Sequence, residues 1–209
     1  MGKLIAVIGN SGVGKTTFVR KLSEKAGLIQ CVEEHETRPF QAEFNRNKHG
    51  PGLANQIDYL LLRIEQEIRA RKETATSIQD GGLEQDFFVF TRLFQRKGYF
   101  SREEFDLCRR LYAAARATLP PPDLFIHMSA PLEILLERRK SRRRRLDITA
   151  QADLLLIDEL ISQFLDEFRP PNLLEIDASR ESPEYEGAVK RVMEKILPWV
   201  NRSSRADVN

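Results

Sequence analysis

Short apolar runs alternate along the chain with longer stretches in which apolar residues recur every three or four positions. The first run, Lys3–Ile8, is long enough for a buried strand. Four further runs, rich in β-branched residues, follow at Leu28–Val32, Thr74–Ile78, Leu124–Met128 and Leu173–Ile176. Because helical patterns separate the runs, the sequence predicts an α/β fold with βαβ units and a mainly parallel, five-stranded sheet flanked by helices.

The helical patterns differ in strength. The clearest, Gly52–Lys72, is long and amphipathic, and Ser101 with Glu104 three residues later is a capping-box signature. The predicted helices are Thr17–Leu22, Gly52–Lys72, Glu84–Arg96, Ser101–Thr118, Pro131–Lys140, Ile148–Phe168 and Pro183–Leu197. With no internal repeat and no linker, residues 1–200 form one predicted domain, and the polar residues 201–209 are predicted to be a disordered tail.

The composition mainly argues against certain classes of protein. The 209 residues suffice for one domain, and a net charge of +2 gives no global field of the kind that nucleic-acid binders carry. No apolar stretch approaches 18 residues, and the N-terminus enters the first predicted strand at once, so we expect neither a membrane span nor a signal peptide. Cys31 and Cys108 are isolated, form no metal or redox spacing, and fit a reducing cytoplasm.

The first predicted strand runs directly into a glycine-rich loop. Residues 9–16 read G-N-S-G-V-G-K-T, a full G-x-x-x-x-G-K-[ST] phosphate loop with a helical pattern after it. Such a loop curls backbone N–H groups around the β-phosphate of a nucleoside triphosphate, while the lysine reaches the β- and γ-phosphates and the threonine hydroxyl ligates Mg²⁺. The sequence therefore predicts a P-loop NTPase fold whose nucleotide contacts come from Gly9, Asn10, Ser11, Gly12, Val13, Gly14, Lys15, Thr16 and Thr17.

A basic run, Arg138–Arg145, holds seven cations in eight residues. Three interpretations compete: the solvated C-terminal end of a helix, a patch for nucleic acid or membrane, and a lid that closes over phosphates. We favour an arginine-rich lid at about residues 138–148. A transferring phosphoryl group needs positioned positive charge, and the rest of the chain lacks a matching basic face.

Taken in chain order, these features resemble the deoxynucleoside kinase family of P-loop phosphotransferases over about residues 3–180, and so imply a three-layer sandwich. The family carries an acid after the second strand, followed by an N-P-F-like segment; here Glu33-Glu34 precedes Arg38-Pro39-Phe40. The resemblance implies that Glu33 is the general base for the substrate's 5′-hydroxyl. Glu34 is adjacent and is the alternative base.

The resemblance also implies a nucleobase site on two helices. Gln56 and Arg63 lie two turns apart on one helical face, and Asp86 and Phe90 match the family's next acid and aromatic wall. In the family this glutamine makes a two-point hydrogen bond to the base. Further stacking surface, with core packing as the alternative for each ring, is expected from Phe44, Tyr59 and Phe87.

The third predicted strand ends in Asp80-Gly81-Gly82, where the family shows Glu-Arg-Ser. Asp80 keeps the carboxylate and is expected to hold Mg²⁺ through water or to act as the base. Gly81 replaces an arginine that helps to hold the 5′-hydroxyl and the phosphoryl group, so Arg38 or a lid arginine is a candidate substitute. The resemblance assigns phosphate clamping to Arg138, Arg142 and Arg144, and the sugar 3′-hydroxyl to Asp147.

We therefore expect a cytoplasmic enzyme that uses ATP and Mg²⁺ to phosphorylate the 5′-hydroxyl of a deoxynucleoside. Purine or cytosine bases are favoured over thymine, because Asp86 accepts from an exocyclic amine. A nucleoside-monophosphate kinase, such as a thymidylate-kinase-like enzyme, is the near alternative, with Arg38, Arg63 and Arg92 as its phosphate clamp. Because Gly81 leaves the acceptor side incomplete, a non-catalytic nucleotide-binding protein is the other alternative.

A homodimer is also expected, with neither nucleic acid nor a membrane as a partner. The family commonly pairs subunits through helices such as Glu84–Arg96 and Ser101–Thr118. Unless these side chains face the monomer's own core, the apolar patch between subunits would comprise Leu93, Phe94, Phe100, Leu107, Leu111 and Tyr112.

Overall fold

The computed structural model describes residues 1–31, 38–141 and 151–203. Its strands are β1 (Leu4–Gly9), β2 (Ile29–Cys31), β3 (Ser77–Asp80), β4 (Leu124–Ser129) and β5 (Leu173–Asp177). They form one sheet in the order β2-β3-β1-β4-β5, with every pairing parallel, so the predicted five-stranded parallel sheet is confirmed. β3 begins later than its predicted start at Thr74, because Ser77 is the residue that pairs with Leu4 of β1.

The helices lie between and after the strands. They are α1 (Lys15–Ala26), α2 (Gln41–Arg46), α3 (Gly52–Lys72), α4 (Leu83–Gln85), α5 (Arg92–Arg96), α6 (Arg102–Arg116), α7 (Leu132–Ser141), α8 (Leu154–Phe168) and α9 (Glu186–Ser203). A π-helix, Asp86–Thr91, joins α4 to α5, and a 3₁₀ turn, Gln151–Asp153, precedes α8. Among the described residues, no helix combines the length and the apolar character needed to cross a membrane.

The predicted helix Glu84–Arg96 is divided by the π-helix, and α8 begins at Leu154. Two further differences from the sequence pattern have identifiable reasons. The pattern does not predict α2, because six residues make fewer than two turns and show no period. It predicts that the last helix ends at Leu197, before Pro198, yet α9 continues through this proline to Ser203. Residues 204–209 of the predicted tail lie outside the described residues.

Alternate residues of β1 enter different clusters of buried side chains. Ile5 and Val7 pack with residues of α1 and α9 on one face of the sheet. Ala6 and Ile8 pack on the other face, where Phe164 of α8 also lies. All of β1 is buried, which is typical of a central strand with helices on both faces. The sheet is therefore the middle layer of three.

The carboxyl ends of β1 and β3 lie side by side. Val7 pairs with Asp80, and the Gly81 N–H donates to the Val7 carbonyl at 2.8 Å. Because β1 continues into the phosphate loop, this loop begins next to Asp80. Parallel α/β sheets bind ligands at this edge, so the active site is expected here.

A buried charged cluster lies between α3, α4 and α6. Arg116 donates to both carboxylate oxygens of Glu67, at 2.7 and 2.9 Å, and through Nε to Glu84 Oε1 at 2.6 Å. Both glutamates are fully buried, so two carboxylates share this one guanidinium. Burial, opposed by the charge of Arg116, raises the pKa of Glu84 to about 7.

Glu84→Gln is expected to change how the free energy of unfolding depends on pH. Between pH 4.5 and about 7 the folded protein keeps a proton on Glu84 that the unfolded chain has released, so this group's contribution to stability falls as pH rises. From pH 5 to pH 8, the wild type should lose about 1–3 kcal/mol relative to Glu84→Gln. Urea unfolding at several pH values measures this difference.

The matched control is Glu65→Gln, which removes an exposed carboxylate from α3. Its free energy of unfolding should follow the wild-type pH profile. A Glu84→Gln profile parallel to that of the wild type would show that Glu84 is already ionised in the folded protein at pH 5.

Candidate active site

The phosphate loop joins β1 to α1 and depends on Gly14 for two reasons. Its φ of 103° lies in the left-handed region, which residues with a Cβ rarely adopt. A Cβ at this position would also lie 1.7 Å from the hydroxyl oxygen of Tyr185. The loop therefore packs directly against the residue that precedes α9, and α1 begins immediately afterwards at Lys15.

Lys15 and Thr16 place in this loop the two groups that a triphosphate site needs, a positive charge for the phosphates and an oxygen ligand for Mg²⁺. Lys15 Nζ donates to the loop carbonyls of Gly9 and Asn10, at 2.9 and 3.1 Å, which places its charge inside the loop. Thr16 Oγ1 donates to Asp80 Oδ2 at 2.5 Å. A hydroxyl and a carboxylate this close are hard oxygen ligands of the kind that Mg²⁺ accepts together with phosphate oxygens.

The described residues contain no group of three or more His, Cys, Asp or Glu side chains that could hold a metal ion by themselves. A magnesium ion at Thr16 and Asp80 therefore needs oxygens from the nucleotide or from water. Mg²⁺ usually binds in this way, through one or two protein ligands and substrate phosphates.

Gln85 and Asp158, which no sequence motif singles out, help to hold the loop in shape. The Gln85 side chain accepts from the Gly9 N–H at 3.0 Å and donates to the Gly9 carbonyl at 3.2 Å. The Asn10 side chain donates to the Leu154 carbonyl at 2.8 Å and to Asp158 Oδ1 at 2.7 Å. Burial raises the pKa of Asp158, and the hydrogen bond from Asn10 opposes that rise.

Gln56 is 1% exposed, and its amide is oriented by the π-helix. Nε2 donates to the Asp86 carbonyl at 3.0 Å and to the Thr91 hydroxyl at 2.9 Å, while that hydroxyl donates to the same carbonyl at 2.9 Å. Both amide hydrogens are thus used, so Oε1 is the part of the amide left to meet a ligand. The two-point donor and acceptor contact expected from the resemblance would require these bonds to break.

Arg63 and Asp86 form a buried ion pair, with Nε and Oδ2 2.8 Å apart and both side chains less than a tenth exposed. Arg63 also donates to Gln66 at 3.1 Å. Its guanidinium lies beside Gly81, where a Cβ would come within 3.3 Å of Nη2. The ion pair therefore connects the nucleobase candidates to the end of β3.

The aromatic candidates differ in burial. Phe44 is completely buried and packs on Phe94 with ring centroids 5.0 Å apart, so its ring serves the core. Phe87 likewise stacks on Tyr112 at 4.4 Å. Tyr59 is also buried, at 6% exposed, whereas Phe90 is only partly buried.

Of the charged residues predicted to bind or activate the transferring phosphate, the structure describes only some. Arg138 donates to the carbonyls of Val13 and Ala178, at 3.2 and 2.7 Å. Arg38 pairs with Asp58 at 3.0 Å. The remaining members of the predicted base and lid lie outside the described residues: Glu33, Glu34, Arg142, Arg144 and Asp147.

Gln85→Leu is expected to destabilise the protein because it removes the partner of the buried Gly9 N–H, whereas the Gly9 carbonyl keeps its hydrogen bond from Lys15. A buried polar group that loses its partner costs about 1–3 kcal/mol. Chemical denaturation measures the loss, and Gln95→Leu, at a half-buried position on α5, is the control expected to change stability by less than about 0.5 kcal/mol. Equal effects of the two variants would mean that Gln85 does not hold the loop.

The comparisons with known proteins find deoxynucleoside kinases and also a putative adenylate kinase of Pyrococcus furiosus, 26% identical over 200 residues and covering 95% of this chain and 84% of the relative. A family model described as deoxynucleoside kinase matches residues 5–201. The chain is 26% identical over 147 residues to a deoxyadenosine/deoxycytidine kinase of Bacillus subtilis (strain 168), which covers 69% of this chain and 68% of the relative. It is 25% identical over 162 residues to a deoxyguanosine kinase of the same organism, covering 77% and 75% of the two chains.

A solved structure is similar across nearly the whole chain. It is a deoxyadenosine kinase from M. mycoides with bound dCTP, and it superposes with a TM-score of 0.78 at 17% identity. The match covers 93% of this chain and 99% of the other. The expected fold, a P-loop three-layer sandwich, is thereby confirmed.

Proposed function

Because the chain belongs to the deoxynucleoside kinase family, we propose that it transfers the γ-phosphoryl group of ATP to the 5′-hydroxyl of a deoxynucleoside. The family consists of kinases, so the chain is a phosphotransferase. The observation that carries the finer proposal is a single continuous cluster. It runs from the phosphate loop through Thr16 and Asp80 to Gly81, and from there through Arg63 to Asp86.

The donor side of the proposal rests on the loop and its neighbours. ATP would lie with its β-phosphate against the loop N–H groups and the start of α1. Lys15 would neutralise the β- and γ-phosphates. Thr16 and Asp80, the latter directly or through water, would hold Mg²⁺, which would offset the negative charge on the transferring phosphoryl group.

On the acceptor side, a carboxylate must remove the proton from the 5′-hydroxyl as the new P–O bond forms and the bond to ADP breaks. We propose Glu33 for this role on the resemblance, with Glu34 and Asp80 as alternatives. Arg138, Arg142 and Arg144 would bring positive charge to the transferring group, and Asp147 would bind the 3′-hydroxyl. In the described structure Arg138 donates to backbone carbonyls, so phosphate contact requires it to leave them.

The polar groups that we propose for contacts with the nucleobase are hydrogen-bond acceptors. Gln56 presents Oε1, because its two amide hydrogens are used, and the Asp86 carboxylate also accepts. Acceptors suit the exocyclic amine of adenine, guanine or cytosine, which thymine lacks. Phe90 and Tyr59 would border the base. We therefore propose a deoxynucleoside with an amino-bearing base.

An assay with ATP, Mg²⁺ and the four common deoxynucleosides tests this proposal. We expect 5′-monophosphates of at least one amino-bearing nucleoside, with thymidine turned over at least 10-fold less well. Lys15→Ala should reduce turnover at least 100-fold, because it removes a charge that the transition state needs. Absence of product across the panel, with ATP still bound, would favour a non-catalytic nucleotide-binding protein.

Asp80→Asn separates the two roles considered for this carboxylate. If Asp80 holds Mg²⁺, the variant should need several-fold more Mg²⁺ for half-maximal turnover, and excess Mg²⁺ should restore much of the activity. A loss that no Mg²⁺ concentration restores would instead make Asp80 the base. Glu24→Gln, an exposed carboxylate change on α1, should leave the Mg²⁺ requirement at the wild-type value.

The monophosphate-kinase alternative agrees with the putative adenylate kinase among the relatives, but the charge pairs of this structure oppose it. The arginines expected to clamp a substrate phosphate are each paired with a carboxylate of the chain: Arg38 with Asp58, Arg63 with Asp86 and Arg92 with Glu167. The phosphate of a monophosphate substrate would have to compete with these carboxylates for the arginines. Comparing the turnover of each nucleoside with that of its monophosphate in the same assay distinguishes the two activities.

The homodimer and the cytoplasmic location remain proposals. Of the six residues expected at the subunit contact, Leu93, Phe94 and Phe100 are buried within the monomer. Leu107 on α6 is 45% exposed, so a contact through this helix would be centred there. Sedimentation velocity at micromolar concentration decides whether subunits pair.

A further inference from the structure

Tyr185, immediately before α9, contacts the phosphate loop from the side of the hydrophobic core. Its hydroxyl donates to the Val13 carbonyl at 2.7 Å, and its ring is 4% exposed, packed edge-on against Phe18. The backbone of Tyr185 has a φ of 56°, which is unfavourable for a residue with a Cβ. A buried side chain held in such a conformation is placed by the surrounding structure, and here it is placed on the loop.

The hydrogen bond from Tyr185 also fixes a group that it does not touch. A trans peptide is planar, and its carbonyl oxygen and N–H point in opposite directions. The peptide that follows Val13 has its carbonyl directed to Tyr185 and hence to the core. The N–H of the same peptide, which belongs to Gly14, therefore points away from the core, toward the space that the loop encloses.

Arg138 reinforces this arrangement from α7. Its Nη1 donates to the same Val13 carbonyl at 3.2 Å, and its Nη2 donates to the Ala178 carbonyl at 2.7 Å. Its guanidinium carbon also lies 5.6 Å from the centroid of the Tyr185 ring. Side chains from α7 and from the segment after β5 thus both donate hydrogen bonds to the Val13 carbonyl.

We propose that Tyr185 is a positioning residue for phosphate binding: by holding the Val13 carbonyl, it aims the Gly14 N–H at the β-phosphate of the nucleotide. This rests on the proposed function only in taking a polyphosphate as the ligand of the loop. It assigns no role in the choice of nucleoside. Tyr185 acts through the peptide and does not touch the phosphate itself.

Tyr185→Phe tests the proposal, because it removes one hydroxyl and keeps the buried ring. Calorimetric titration with ATP and, separately, with inorganic tripolyphosphate should show both binding about 5- to 10-fold more weakly, by the same factor. The KM for the deoxynucleoside should stay at the wild-type value. Tyr112→Phe, which alters a tyrosine stacked on Phe87 at 4.4 Å, should leave both affinities unchanged.

Other outcomes would overturn the inference. If ATP binding weakened while tripolyphosphate binding did not, Tyr185 would serve the nucleoside part of the donor. If only the melting temperature fell and both affinities stayed, its role would be structural. Wild-type protein that bound neither ligand would refute this proposal together with the proposed function, whereas intact ATP binding without phosphorylation of any nucleoside would refute the proposed function alone.

Discussion

A phosphate loop binds an anion through its backbone N–H groups, so its backbone must be held in one conformation by hydrogen bonds to its other polar groups. In this chain, distant elements meet that requirement. Gln85, after β3, binds both polar groups of Gly9, and Tyr185, before α9, binds the Val13 carbonyl. Asn10 reaches α8 through Asp158. Helices from both faces of the sheet thus converge on one turn, and their positions are linked through it.

The proposed nucleobase side is organised differently, around a buried ion pair and an amide whose two hydrogens are already used in hydrogen bonds. Arg63 and Asp86 neutralise each other where water is excluded, so neither charge is left buried without a partner. The π-helix that begins at Asp86 provides the carbonyl and the Thr91 hydroxyl that orient Gln56. π-helical turns are frequent at functional sites. Here the turn engages both amide hydrogens of Gln56 and leaves Oε1 out of these hydrogen bonds.

Sequence patterns identify the parts of this protein whose structure is determined by residues close together in the chain. The phosphate loop, the strands and α3 follow from residues adjacent in the chain, and they were predictable. The contacts of Gln85 and Tyr185 were not, because their partners lie more than 70 residues away and their neighbours form no motif. Spacing also cannot tell a ring in the cleft from one in the core, which is why Phe44 was expected in the site and lies in the core.

Gly81 connects these two halves of the site. A side chain there would have to adopt a φ of 81° and place its Cβ 3.3 Å from Nη2 of Arg63. The glycine and the position of this guanidinium therefore depend on each other. Where the resemblance places an arginine directly after Asp80, this chain has Gly81, yet the guanidinium of Arg63 from α3 lies beside the same backbone. Positive charge at the end of β3 is thus present in the fold, supplied by α3 and balanced by Asp86.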